Sequence, residues 1–120
     1  GEVGAFLRQR VAAAVAAGIE PGRIIVDPGI GFGKTVAHNL SILRRVDQFR
    51  GIGQALLIGT SRKSFIGALT AQPNADQRVF GTAATVAWSI AGGADIVRVH
   101  DVRAMREVAQ VVTAIKNASS

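Results

Sequence analysis

Ala55-Leu56-Leu57-Ile58-Gly59-Thr60-Ser61-Arg62-Lys63-Ser64-Phe65-Ile66-Gly67 is an apolar run that stops abruptly in two hydroxyls and two cations. Four apolar residues in succession read as a buried strand. Ending such a strand on Ser61, Arg62 and Lys63 is costly unless an anion or another polar ligand meets them. The chain repeats the arrangement on either side of this stretch. Ile24-Ile25-Val26 runs into Asp27, and Ile96 to Val99 carries Arg98 and then His100.

Each apolar run is followed by a polar or glycine-rich segment and a longer helical pattern, the signature of βαβ units around a parallel sheet. Leu7, Val11, Ala14 and Val15 mark a helix before the first strand, stopped by Gly18. Leu40, Leu43 and Val46 mark the next, and Val79, Ala83, Val86 and Ile90 the third. Met105, Val108, Val112 and Ile115 mark the last, with Asp101 placed to cap its start. Trp88 and Phe80 are expected to pack their helix against the sheet.

The polar strand ends at Asp27, Ser61 and Arg98 lie 34 and 37 residues apart. That is close to the roughly 31 residues per unit of a (β/α)8 barrel of about 250 residues. Three units cannot close a barrel and would leave two raw sheet edges and one uncovered face. The chain is then either an open three-layer α/β domain or the last part of a larger barrel, and an opening helix with no strand before it favours the second. The expected fold is α/β, the last three βα units of a TIM-type barrel, with residues 1–120 forming a single partial domain. Such exposed edges predict self-association.

Composition narrows the function. With 120 residues, 48% hydrophobic and 18% charged, the chain is expected to pack a core. There is no Cys, hence no disulfide framework or thiolate metal site, and two His make a protein-built transition-metal site unexpected. No apolar run approaches the roughly 20 residues that cross a bilayer, and no signal peptide is visible at Gly1-Glu2-Val3. A cytoplasmic protein without membrane partners is expected. The net charge of +6 makes nucleic acid a rival partner. With no Tyr, one Trp and five Phe, however, a base-stacking platform is hard to build, and the charges are dispersed.

The first strand-end motif is Asp27-Pro28-Gly29-Ile30-Gly31-Phe32-Gly33-Lys34-Thr35. A P-loop would need Gly where Pro28 sits, and a dinucleotide fingerprint would need Gly where Lys34 sits. The alternating glycines still allow backbone amides to approach a ligand closely. Asp27 is expected to be a buried carboxylate, either accepting from the loop's own amides or from a ligand's N–H groups. In the third motif, period-two alternation puts Arg98 and His100 on one face, opposite Val97 and Val99. Arg98 needs a permanent partner, with Asp95 and Asp101 as candidates, or an anionic ligand. Two cation-capable groups on one face suit phosphate. His38 is expected to be solvated or capping, Arg44-Arg45 a solvated helix face, and Ser61 and Ser64 have no His and carboxylate near them in sequence to make a nucleophilic triad.

DPGIGFGKT, GTSRKSFIG and RVHDV, in that order and spacing and joined by GTAAT at Gly81 to Thr85, closely resemble the C-terminal part of the dihydropteroate synthase family. The resemblance runs from about Ile24 to the C-terminus. It implies a (β/α)8 barrel that joins p-aminobenzoate to 6-hydroxymethyl-7,8-dihydropterin pyrophosphate in folate synthesis, gives 7,8-dihydropteroate and releases pyrophosphate. Sulfonamides are the implied substrate analogues and a homodimer the implied assembly. By the same resemblance Asp27 and Lys63 hold the pterin, and Arg98 covers the ring. Arg98 and His100 form the pyrophosphate pocket, and Gly59 and Val99 are implied to bind substrate as well. Ser61, Arg62 and Phe32 face p-aminobenzoate, with Ser61 near its carboxylate. Lys63, Arg98 and His100 carry the implied catalysis, and Mg2+ is implied with pyrophosphate, its asparagine ligand lying outside this chain. Because the first half of the barrel is missing, the chain is not expected to be active alone. The alternatives are a pterin-dependent methyltransferase barrel, which needs neither a pyrophosphate pocket nor the SRKS run, and a non-catalytic basic α/β module that binds nucleic acid.

Overall fold

In the computed structural model, which describes residues 2–119, the three apolar runs become three short parallel strands. They are β1 (Ile25–Val26), β2 (Ala55–Ile58) and β3 (Ile96–Val97), in the order β1-β2-β3. Ile25 pairs with Ala55 and Val26 with Leu56, while Leu57 pairs with Ile96 and Ile58 with Val97. Helix α1 (Glu2–Ala16) precedes β1, and α2 (Val36–Arg44) links β1 to β2. Helices α3 (Ser64–Thr70) and α4 (Val79–Ala91) lie between β2 and β3, and α5 (Val102–Lys116) follows β3. These are βα units of a parallel sheet flanked by helices, as the sequence predicts.

Alternation along the strands divides the sheet into two unlike faces. Val26, Leu56 and Ile58 point into a core with Ile42, Leu43, Phe49, Phe65 and Ile66. Val97 joins a second cluster of Val86, Ile90 and Met105 contributed by α4 and α5. On the opposite face Ile25 is 54% exposed and Ile96 38%, while Ala55 and Leu57 between them are half-buried. An apolar sheet face with no cover is the interior face of a barrel seen without its remaining strands.

Several expectations need correction. The last strand is shorter than the run Ile96 to Val99. The Arg98 N–H still donates to the Ile58 carbonyl (3.1 Å), but the His100 N–H turns to Ser61 Oγ (3.0 Å), which ends the ladder. Val46 is buried but belongs to a 3-10 turn, Val46–Phe49, beyond the end of α2. Helix α3 has no periodic signal because it is only seven residues long. Phe80 is 87% exposed and does not pack against the sheet. Trp88 is also exposed, and its indole N–H donates to the Leu43 carbonyl. Ile115 faces solvent, whereas Met105 nearer the start of α5 is buried. Asp101 occupies the N-cap position of α5 but makes no capping bond.

Candidate functional site

All three strands end at the same edge of the sheet, and the open face leads up to it. Asp27 follows Ile25 on that face, Gly59 follows Leu57, and Arg98 follows Ile96, so the three stand side by side above exposed apolar strands. The Arg98 guanidinium reaches across to Asp27, with Nη2 4.0 Å from Oδ2. Gly59 makes this crossing possible, since a Cβ there would stand 3.0 Å from Arg98 Nη2. The expected partners for Arg98, Asp95 and Asp101, are engaged elsewhere. Asp95 Oδ2 accepts from the Leu56 N–H (2.9 Å), and both oxygens of Asp101 accept from Arg62.

Asp27 is not the fully buried carboxylate expected from its apolar strand. Its side chain is 34% exposed and that of Arg98 60%, because both lie on the uncovered face. Asp27 uses one oxygen locally, Oδ1 accepting from the Gly29 N–H at 2.8 Å, and turns Oδ2 toward Arg98. The two readings of this residue thus divide between its two oxygens.

The loop after β1 is held from both ends. The Gly31 N–H donates to Asn39 Oδ1 (2.8 Å), and Lys34 Nζ donates to the carbonyls of Gly29 (2.8 Å) and Phe32 (3.3 Å). Gly31, at φ +86°, has a conformation that L side chains rarely adopt, and a Cβ on it would lie 2.9 Å from Lys63 Cδ. That space lets Lys63 fold over the loop, where its ammonium sits 4.3 Å from the centre of the exposed Phe32 ring. Such a cation–π contact ties the β1 and β2 loops together. Thr35 Oγ1 accepts from the His38 N–H and caps α2, so His38 is solvent-exposed within the cap, as expected.

The loop after β2 turns on Arg62, whose φ of +57° is strained for a residue with a side chain. Three contacts hold it there. Its N–H donates to Thr82 Oγ1 (3.0 Å), its carbonyl accepts from Arg78 Nη1 (2.8 Å), and its guanidinium grips Asp101 through Nε (3.2 Å) and Nη2 (2.8 Å). The hydrogen bond from Arg62 holds the Asp101 carboxyl below the usual carboxylate range, and the same bond raises Arg62. The Arg62 guanidinium is thus turned to Asp101, which is unavailable as a helix cap.

Ser61 is also committed. It is 5% exposed, its Oγ accepts the His100 N–H, and it lies 2.8 Å from His100 Nδ1. A histidine is thus beside Ser61 in space, though not in sequence, but among the described residues no carboxylate orients it as a triad requires. Val99 packs its side chain with Val86, Ile90 and Met105 on the covered side, away from the face that carries Arg98. Asp27, Phe32, Gly59, Lys63, Arg98 and His100 all lie beyond the same ends of the three strands, Asp27 joined to Arg98 and Lys63 to Phe32.

Sequence reasoning assigned no role to Arg78, Thr82, Thr85 or Asn39. Thr60 and Thr85 share a 2.7 Å hydrogen bond between hydroxyls, and Thr85 donates to the Thr82 carbonyl. The GTAAT segment on α4 therefore buttresses the loop that carries Ser61 to Lys63. Its only sequence signal is two hydroxyls, Thr82 and Thr85, three residues apart on an apolar helix.

Two cations, a carboxylate and an imidazole above an apolar half-barrel suit a planar polar molecule that carries an anionic group. Fold and site define an α/β barrel protein with its ligand site at the C-terminal ends of its strands. The chain belongs to the pterin binding enzyme family, which it matches over residues 1–100. It is 49% identical over 115 residues to the dihydropteroate synthase of Synechocystis sp., covering 96% of this chain and 40% of that relative. It superposes on the crystal structure of dihydropteroate synthase from Stenotrophomonas maltophilia with active site-bound imidazole at a TM-score of 0.95 and 39% identity, covering 99% of this chain and 45% of the other. The Thermus thermophilus dihydropteroate synthase, seen in complex with 6HMPPP and with 4-aminobenzoate, matches at a TM-score of 0.89 and 41% identity. In those two comparisons 97% of this chain is covered, with 45% and 46% of the other chain. The chain thus spans about two-fifths of the length of the relative it matches.

Proposed function

We propose that residues 1–120 are a partial domain of a dihydropteroate synthase, contributing one side of the site where p-aminobenzoate is joined to 6-hydroxymethyl-7,8-dihydropterin pyrophosphate. The observation that carries this reading is the convergence of Asp27, Lys63, Arg98 and His100 at one sheet edge, in a chain of the pterin binding enzyme family. Its relative from Thermus thermophilus has been captured with both 6HMPPP and 4-aminobenzoate.

In this proposal Asp27 Oδ2 accepts hydrogen bonds from the pterin's amino and ring N–H groups, and Lys63 leaves the Phe32 ring for the pterin's oxygen and nitrogen edge. Arg98 leaves Asp27 to cover the ring and meet pyrophosphate together with His100. The C–O bond breaks and pyrophosphate departs with the electron pair. The arylamine nitrogen then forms the new C–N bond and releases its proton. Such a path depends on electrostatic stabilisation of the leaving group more than on a strong base. Phe32 offers a face to the p-aminobenzoate ring, which is also the face that sulfonamides would meet.

The side chains present do not fit a protein-built Mg2+ site. The oxygens of Asp101 are taken by Arg62, one oxygen of Asp27 is taken by the Gly29 amide, and no group of three or more His, Asp or Glu gathers among the described residues. Among the described residues no helix is long and apolar enough to cross a membrane, and the setting proposed for this chemistry is the cytoplasm. Supplying the full-length gene product with both substrates and Mg2+ should yield dihydropteroate and one pyrophosphate per turnover. Pterin binding without condensation would favour the methyltransferase reading instead.

A further inference from the structure

We propose that Ser61 is a positioning residue that fixes the tautomer of His100, so that the ring presents Nε2–H at the edge where Arg98 ends. The part that concerns pyrophosphate rests on the function proposed above. The part that concerns the ring stands on geometry alone.

Ser61 Oγ accepts the His100 backbone N–H at 3.0 Å and lies 2.8 Å from Nδ1 of the same residue. Ser61 is almost fully buried, and its hydroxyl has no other hydrogen-bond partner among the described residues. With one lone pair already occupied by the amide, the hydroxyl proton has a single acceptor within reach, the unprotonated Nδ1. Were Nδ1 to carry the proton, Oγ would accept from it through its second lone pair, and the serine hydroxyl hydrogen would be left unpaired in a closed site. The neutral ring therefore holds its proton on Nε2, and His100 is itself exposed. Asp101, the adjacent carboxylate that could otherwise hold an Nδ1–H, has both oxygens drawn to Arg62. A serine donating to Nδ1 fixes the tautomer opposite to the one a carboxylate there would fix, and it adds no negative charge beside the anion site.

The consequence concerns the anion. A ring locked with Nε2–H outward donates to pyrophosphate while neutral. An unlocked ring would turn a lone pair toward the anion for part of the time.

Two measurements on the full-length gene product test this. Nitrogen NMR of the imidazoles, with the His100 signals identified by their loss in His100→Gln, should show Nε2 protonated and Nδ1 bare in the wild type. Ser61→Ala should give a mixture of tautomers, and Ser61→Thr, which keeps the hydroxyl, should restore the single form. Titration with inorganic pyrophosphate should find Ser61→Ala weakened in proportion to the tautomer it loses, about twofold for an even mixture, and Ser61→Thr near wild type. An Nδ1–H wild type, or a Ser61→Ala that keeps the single Nε2–H form, would overturn the proposal. Should Ser61→Ala not fold, the wild-type nitrogen pattern decides alone. The expected nitrogen pattern with no pyrophosphate binding at all would support the hold on the ring and overturn the functional reading.

Discussion

A Cβ at Gly59 would meet the tip of Arg98, 3.0 Å from Nη2 and 3.4 Å from Nε, so this glycine governs where the guanidinium lies. Gly59→Val should push Arg98 off its path toward Asp27 and weaken pyrophosphate binding by about tenfold, the scale of one charge-assisted contact. The pterin should be held less affected, because Asp27 keeps its bond from Gly29. Titrations with pyrophosphate and with a pterin, side by side, check the split. Asp27, Lys63, Arg98 and His100 were legible in the sequence because each ends or follows an apolar run, where polar groups are conspicuous. Their partners were not. Arg62 and Asp101 are 39 positions apart, as are Ser61 and His100, and no local pattern encodes a contact between two strand ends. Burial was misjudged for the same reason: an apolar strand suggested cover on both sides of Asp27, and this sheet has cover on one.

The elements around the site work as clamps on two loops. Arg78, at the start of α4, donates to three carbonyls: Arg62 (2.8 Å), Gln72 (2.9 Å) and Pro73 (2.8 Å). It joins the β2 loop to the segment beyond α3. Arg78→Met should cost about 2 kcal/mol of stability, since hydrogen bonds to charged groups contribute on that scale, and Arg78→Lys should not restore it, because an ammonium cannot span three carbonyls as a guanidinium fork does. Denaturant titration of the three proteins checks both expectations.

The Arg62–Asp101 pair gives this loop a pH signature. Arg62 holds the folded-state pKa of Asp101 below its ordinary value of 3.8, so the pair's contribution is present above that value and is lost as the pH falls through the lower, folded one. The stability gap between wild type and Asp101→Asn should therefore be flat above about pH 5 and close at more acid pH. A gap that persisted unchanged to pH 2 would show that it does not come from the ionised carboxylate. The helices with long apolar periods were legible; α3 was not, because seven residues carry too little periodicity to register.

The whole molecule is a sheet with one face covered and one open. Ile25, Ala55, Leu57 and Ile96 form the open face, β1 and β3 are both edges, and Val111 and Ile115 add exposed apolar surface on α5. Unpaired edges and uncovered apolar faces favour association. The 120-residue chain by itself should sediment as a dimer or larger assembly at micromolar concentration, whereas a compact 12.5 kDa monomer would mean that the open face is tolerated in water. The spacing of the strand ends made the barrel legible, because each βα unit repeats one chemical event, an apolar run meeting polar side chains.

The role proposed for this edge is to bind and orient the two substrates of dihydropteroate formation, and kcat/KM for that reaction in the full-length gene product responds to it most directly. It is measured for wild type, Lys63→Ala and Arg44→Ala together. Lys63 folds over the Phe32 loop, while Arg44 is exposed at the end of α2. Lys63→Ala should lose about 2 to 4 kcal/mol in transition-state stabilisation and Arg44→Ala almost none. Near-normal kcat/KM in Lys63→Ala with impairment in Arg44→Ala would mean that the edge does not play this role.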